Sequence, residues 1–383
     1  MATVPTFAPE TFEDAAAALA GATAEGQTVR IIGAGTKLGW GREAAAPDVA
    51  VHTTGLHRIL EHNAGDLTAS LEAGVSLELA QRTFAAAGQM LALDPPLSVN
   101  GTPSPTIGGV VATGDCGPLR HRYGGPRDLV VGATVALSDG TVARAGGKVI
   151  KNVAGYDLAK LLSGSFGTLG LILSVNVRLH PLHESSVTAL GAAADPDRLS
   201  AAAVALTAAP LEFEALDVAW HDGRGGLLAR CAGPQAPRRA RRAAALMAEH
   251  GLTAVDVTDA DGRLWERQRA GQRSANQALV RIAAPPSALA SVATATQICD
   301  GTLVGRAALG QSFVEVDPCA VSRLRERLPA GAAAVLLDAP AALRAESDPW
   351  GLPDGPALAL MRRVKARFDP AGTCNPGLFV GGI

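Results

Sequence analysis

Glycine placement constrains this chain more than any other feature. Three glycine-rich stretches fall in its first half, each beside a strand-like apolar run: "VRIIGAGTKLGWG" at 29–41, "TIGGVVATGDCGPLRHRYGGPRDLVVGA" at 106–133 and "KNVAGYDLAKLLSGSFGTLG" at 151–170. Glycine loses more backbone freedom on folding than any other residue, so it concentrates where a positive φ or a close approach demands it. One such demand is an anion held by successive backbone N–H groups. Taken singly, each stretch is explained equally well by a turn-rich scaffold with no ligand. The common nucleotide fingerprints do not fit. A dinucleotide turn beginning at Gly33 would place its third glycine where Leu38 stands, with a helix after it, yet the chain continues "GWGREAAAPD". A Walker A loop in "ARAGGKV" fails because Val142 and Val149 occupy the positions of its first glycine and its Ser or Thr. The spacing of Gly164, Gly167 and Gly170 matches neither pattern.

Around these loops, short strands and helices mix without a regular βαβ rhythm, which predicts an α+β fold. "TVRIIGAG" reads as a strand entering a loop, and "LTASLEAG" as an alternating strand. Ser76 is placed to cap the helix "LELAQRTFAAAG", ended by Gly88. Asp139-Gly140 signals a hairpin inside "DLVVGATVALSDGTVARAGG". From about 183 the glycines thin and Ala/Arg helices alternate with candidate strands such as "GLLARCAG" and "QSFVEVDP". The expected organisation is a first domain over 1–182, a second, smaller α+β domain over 183–345, and a tail over 346–383 that returns to the first. No internal repeat is evident.

At 383 residues, 48% hydrophobic and 18% charged, with a net charge of -2, the chain reads as a soluble globular protein with no basic surface for nucleic acid. It has no apolar run long enough to span a bilayer, and Glu10, Glu13 and Asp14 stand where a signal peptide would be basic. A cytoplasmic protein is expected. The cysteines at 116, 231, 299, 319 and 374 are scattered and never spaced as CxxC. Neither a disulfide framework, a zinc site nor an iron–sulfur cluster is indicated, and no metal site is expected.

Taken together, in this order and spacing, the three stretches resemble the FAD-binding domain of the vanillyl-alcohol oxidase type, found in many 2-hydroxyacid dehydrogenases and oxidases. The likeness covers residues 1–180, and "FDPAGTCNPGLF" at 368–379 is similar to the family's returning tail. It implies a two-subdomain FAD-binding domain followed by a smaller cap-like domain. It implies FAD contacts from Gly33, Ala34, Gly35, Thr36 and Lys37 on the pyrophosphate, and from Thr106, Ile107, Gly108 and Gly109 on the opposite side. Thr113, Gly114, Arg122 and Tyr123 would line the flavin, while Asp157 and the backbone of Leu171 and Ile172 would close the site. Lys151 and Lys160 are candidate charge partners. Members that attach flavin covalently often use a histidine in the first loop; here Thr36 and Lys37 stand there, so dissociable FAD is expected.

Within the family the run "GPLR…RD", "KNVAGYDL" and the "FDP…NPG" ending resemble the E subunits of bacterial glycolate oxidases. That resemblance implies assembly with a catalytic flavin subunit and an iron–sulfur subunit, oxidation of glycolate to glyoxylate, and a place in the cytoplasm or at the inner membrane through the complex. Catalysis is where the sequence departs from the family. Oxidising a 2-hydroxy acid needs a base, a cation for the carboxylate and a hydride acceptor, but the family's "HAGDGN"-like motif is missing. "HDGRGG" at 221–226 reads as a surface turn, and His180 and His183 of "HPLH" as a loop, since Pro181 excludes a helix interior. Cys116 reads as a small buried residue. Arg273, Arg281 and Arg306 could each bind a carboxylate, and none stands out, so the catalytic residues stay unassigned. Three roles remain open: an accessory or electron-relaying subunit, a self-sufficient dehydrogenase, and a scaffold that has lost flavin.

Overall fold

Val29–Ile32 is a β-branched run, and it pairs in parallel with Val49–His52, which pairs in turn with the short strand Thr6–Phe7. The helix Phe12–Ala24 covers this sheet; Thr11 caps it, its Oγ1 accepting the Asp14 N–H at 3.1 Å. The computed structural model describes residues 4–97, 103–148 and 156–383. A second, antiparallel sheet runs in the order Ile59–Asn63, Thr68–Glu72, Leu171–Arg178, Val130–Ala136, Val142–Gly146. Leu171 and Leu173 share a core with Leu19, Val29 and Val51 and so join the two sheets. The hairpin turns at Asp139-Gly140, where Gly140 has φ +84°, and Ser76 caps the helix Leu77–Ala85, both as the sequence predicts.

The third large sheet has eight strands, all lying between Ser186 and Leu336. Its order is Thr253–Thr258, Ser186–Ala193, Arg224–Ala232, Ala215–His221, Thr302–Arg306, Gln311–Val316, Ala278–Ala283, Ala333–Leu336. This is a β-α-β-β-α-β unit used twice. The first unit runs from Ser186 to Thr258 with helices Pro196–Ala208 and Ala236–Glu249; the second runs from Ala278 to Leu336 with Leu289–Ile298 and Val321–Arg327. The two units join through their second strands, antiparallel, with Asp217 opposite Arg306 and Trp220 opposite Leu303. A repeat is therefore present that the sequence did not reveal. Its halves differ in helix length, 14 residues against 7 for the second helix, and their Ala-rich apolar positions carry no common signature. The helices bury one face of the sheet through Leu199, Leu206, Met247 and Val292 against Leu216, Val218 and Trp220.

The tail returns to the first sheet. Helix Pro356–Phe368 leads into a turn in which Asp369 accepts the N–H groups of Thr373 and Cys374 at 3.1 and 2.8 Å and pairs with Lys365. Lys365 also donates to the carbonyls of Thr168 and Cys374, both at 2.8 Å, binding the tail to the 165–168 segment. Val29 and Cys374 then form a short parallel bridge: the Val29 N–H reaches Thr373 O at 2.8 Å, and the Asn375 N–H reaches Val29 O at 2.9 Å. Among the described residues no helix is long and apolar enough to cross a membrane.

Replacing Asp369 with Ala leaves Lys365 buried without its partner and two backbone donors unanswered. The expected loss is about 3–5 kcal/mol of unfolding free energy, read as a lower denaturant midpoint; a change below about 1 kcal/mol would mean that the tail is held elsewhere.

Candidate functional site

The strand Val29–Ile32 ends in Gly33, and from there the chain turns away from its partners. Gly35 has φ +73°, a conformation open to glycine and strained for most other residues. The N–H groups of Ala34 to Leu38 hydrogen-bond to no other described residue. Backbone donors are seldom left unpaired, and here a run of them borders a cleft. The cleft holds about 770 Å³ including its open mouth, and its walls include Gly33–Leu38, Thr106, Gly108, Gly109, Thr113, Phe166, Gly167, Gly170, Ile172 and Asn375. It brings ten of the sixteen residues expected to touch the cofactor into one space.

The first and second glycine-rich loops touch there. A Cβ on Gly33 would sit 2.2 Å from Thr106 Oγ1, so only glycine lets the strand end pass the second loop. Thr106 caps the short helix Ile107–Thr113, its Oγ1 accepting the Gly109 N–H at 3.2 Å, and its own O–H donates to no described residue. The third segment supplies the opposite wall: Phe166 (φ +55°), Gly167 (φ +71°) and Gly170 (φ +137°) take backbone conformations rare outside glycine. Asn375, also at positive φ, holds the walls together. Its Oδ1 accepts the Ile31 N–H at 2.8 Å, and its Nδ2 donates to Phe166 O at 2.6 Å.

Several expected contacts fall elsewhere. The N–H groups of Ile107 and Gly108 do not face the cleft, because they donate to Val75 O and Ala73 O, both at 2.8 Å. Gly108 is needed for a different reason, since its Cβ would meet the Ala73 Cβ at 2.7 Å where the helix crosses the strand end. Ile107 is core. Gly114 is the left-handed end of that helix, at φ +65°, and does not line the cleft. Tyr123 turns to the seam with the eight-stranded sheet, where its hydroxyl donates to Glu214 Oε1 at 3.2 Å and its ring packs at a tilt of 52° against His180, centroids 4.6 Å apart. Burial, with Glu214 beside it, pushes the phenol up to about 12. Arg122, its chain neighbour, is likewise outside the cleft. Asp157 pairs with Lys160 at 2.9 Å on the surface, and Leu171 is buried in the core. Lys151 lies outside the described residues. Asn375, Phe166 and Trp40 escaped the sequence reading; the Asn-Pro-Gly turn was the one local hint of the first.

Two family models match this chain: that of the FAD binding domain over residues 5–146, and that of the C-terminal domain of FAD linked oxidases over 353–378. Over these two stretches the chain is similar to the FAD-linked oxidases. A FAD-linked oxidoreductase of Mycobacterium tuberculosis is 26% identical across 97% of this chain and 90% of its own length. Glycolate oxidase subunit GlcE of Escherichia coli is 36% identical over a shorter stretch, 34% of this chain and 37% of that protein. A D-lactate dehydrogenase of Archaeoglobus fulgidus is 34% identical over 45% of this chain and 38% of its own. Among solved structures, alkyldihydroxyacetonephosphate synthase superposes with a TM-score of 0.71 at 12% identity, covering 97% of this chain and 76% of the other, a likeness of fold. FAD is the cofactor, and loop donors with no partner among the described residues suit a pyrophosphate.

Lys37 lines the cleft but turns its amine to Asp115, 3.2 Å away. Asp115 receives Arg273, from the loop that precedes the second repeat, at 2.6 Å. Burial alone would raise the Asp115 carboxyl; Arg273 and Lys37 outweigh it and hold the group below the usual range. Arg306 crosses the same seam, donating to the carbonyls of Gly117 and Cys116 at 3.3 and 3.2 Å. Its ladder partner Asp217 is buried, and both carboxylate oxygens lack a hydrogen-bond partner among the described residues. Burial lifts Asp217 to about 7, against the pull of Arg306 and Arg269 and with the push of Asp94, itself lifted by burial to about 6.

Two predictions follow from this geometry. Gly33→Ala drives a methyl into Thr106 and is expected to abolish FAD retention, seen as loss of flavin absorbance from the purified chain. For Asp217 the folded state keeps a proton that the unfolded chain releases at its ordinary value of 3.8. Its contribution to stability is therefore full below that value and is lost as pH rises through about 7. Asp217→Asn should remove this slope and raise stability above pH ~7.5 by on the order of 3 kcal/mol, measured as denaturant midpoints against pH; parallel profiles for the two proteins would contradict it.

Proposed function

We propose that the chain is the FAD-binding subunit of a glycolate oxidase assembly, relaying electrons or completing the complex beside a catalytic flavin subunit. The likeness to GlcE is accompanied by a match to glycolate oxidase subunit GlcD of Bacillus subtilis, 35% identical over 41% of this chain and 33% of that protein. A D-2-hydroxyglutarate dehydrogenase of Xanthomonas citri is 32% identical over 45% of the chain and 35% of its own length. These names share one substrate class, the 2-hydroxy acids. In this reading the cofactor sites are Gly33–Lys37, Thr106, Gly109, Thr113 and Ile172. The bound flavin would supply a two-electron acceptor, and the protein would hold it through backbone donors and dissociably, with an iron–sulfur subunit as the onward partner.

The observation that carries the accessory role is the commitment of the cations. Of the three arginines able to receive a substrate carboxylate, Arg273 is spent on Asp115 and Arg306 on two backbone carbonyls. Arg281 favours the second reading, a self-sufficient dehydrogenase, because among the described residues it forms neither an ion pair nor a hydrogen bond, and burial outweighs the pull of Cys116 and Asp115 and lowers its pKa.

Anaerobic mixing of the flavin-loaded chain with glycolate or D-lactate separates the two. The accessory role predicts that the isolated chain keeps its flavin colour and that bleaching requires the partner subunits. Bleaching by the chain alone, weakened in Arg281→Met, would instead establish the dehydrogenase.

A further inference from the structure

The 33–38 loop carries its donors unpaired, so its own backbone does little to fix its shape. The one internal bond, Trp40 N–H to Lys37 O at 3.1 Å, closes a turn at its far end. What restrains the loop is a pair of side chains, Lys37 and Trp40, both buried. Lys37 meets Asp115 and through it Arg273, and Trp40 meets Arg273 and Asp338, two residues that flank the second repeat. We propose that Arg273 and Asp338, which do not line the cleft, are positioning residues for FAD: they set the loop conformation that receives the phosphates. This rests on the reading of Gly33–Leu38 as the phosphate loop.

The contacts form a closed circuit. Lys37 is held by Asp115 at 3.2 Å, and Asp115 by Arg273 at 2.6 Å, with all three side chains no more than 6% exposed. The Arg273 guanidinium lies over the Trp40 ring, 4.4 Å from its centroid. The Trp40 indole N–H donates to Asp338 Oδ1 at 2.8 Å, and the N–H of Ser274, next to Arg273, donates to the other oxygen at 3.1 Å. Arg273 and Asp338 are in turn fixed in register. Asp338 follows the strand Ala333–Leu336, and its carbonyl accepts the N–H of Leu279, in the adjacent strand, at 2.7 Å. The Lys37, Asp115, Arg273 and Trp40 side chains are buried, and charge-assisted bonds are strongest where the surroundings are dry. A displaced Arg273 would free Asp115, hence Lys37, and would uncover Trp40; the loop would then have to be ordered by the cofactor itself, at the expense of affinity.

FAD titrated into apoprotein, followed by quenching of flavin fluorescence, tests this together with the melting temperature of each apoprotein. Arg273→Gln and Asp338→Asn are expected to raise the Kd for FAD by about tenfold or more, with Arg273→Lys recovering most of the loss because it keeps the charge on Asp115. Arg242→Ala, which breaks a surface pair with Glu249, should leave Kd within about twofold of the parent. A purely structural role would lower the melting temperature and leave the Kd of the folded protein unchanged. Should Arg273→Gln fail to fold, Asp338→Asn, a near-isosteric change, decides alone. Unaltered Kd in the folded variants, with Gly33→Ala losing FAD, overturns the positioning role. Unaltered binding by Gly33→Ala overturns the phosphate-loop reading and the positioning role with it.

Discussion

Everything at the cleft depends on a close approach: the end of the strand Val29–Ile32 passes Thr106 with no room for a side chain at Gly33. Because the strand must stop pairing there, the next N–H groups are left without partners. Unpaired donors are unfavourable in a folded chain unless something answers them, and a bound anion does so at every donor in the run. The same approach brings the second loop, with a Thr106 O–H that donates to no described residue, to the other side of the cleft. Glycine at this point is thus a requirement of packing first and of binding second.

Holding two loops so near one another requires a frame, and the frame comes from distant parts of the chain. Asn375, from the last residues, binds both Ile31 and Phe166 and makes one wall of three segments. Lys365 and Asp369 secure that tail through buried bonds. From the other direction the eight-stranded sheet reaches over the seam with Arg273, Arg306 and Asp338. In the proposed positioning role, cofactor affinity and the docking of that sheet would be two expressions of one set of contacts.

Charge along the seam is arranged for cohesion. Arginines that could have met a substrate carboxylate are spent on Asp115 and on the carbonyls of Cys116 and Gly117, while Asp94 and Asp217 are lifted towards neutrality by burial. This disposition agrees with a subunit whose flavin serves an assembly, and it leaves Arg281 as the cation on which a catalytic alternative would turn.

How much of this was legible beforehand follows from the range over which each constraint acts. Glycine spacing, β-branched strands, the Ser76 cap and the Asp139-Gly140 hairpin are set by local backbone sterics, so the α+β class could be read directly, whereas the FAD contacts came from the order of the three loops and the family they resemble. The first loop does line the cleft. Ile107, Gly108 and Tyr123 were carried over by the same resemblance, yet which way an N–H or a phenol points depends on what packs beside it: Ala73 and Val75 for the helix, Glu214 for the tyrosine. The doubled β-α-β-β-α-β unit escaped notice because alanine-rich faces pack similarly without sharing a sequence. The Lys37–Asp115–Arg273 chain spans more than two hundred residues, and no local pattern records it. Sequence alone determined that the chain would carry glycine loops built for a dinucleotide; tertiary packing decided which donors stay free, because only a folded neighbour can satisfy a hydrogen bond or leave it open.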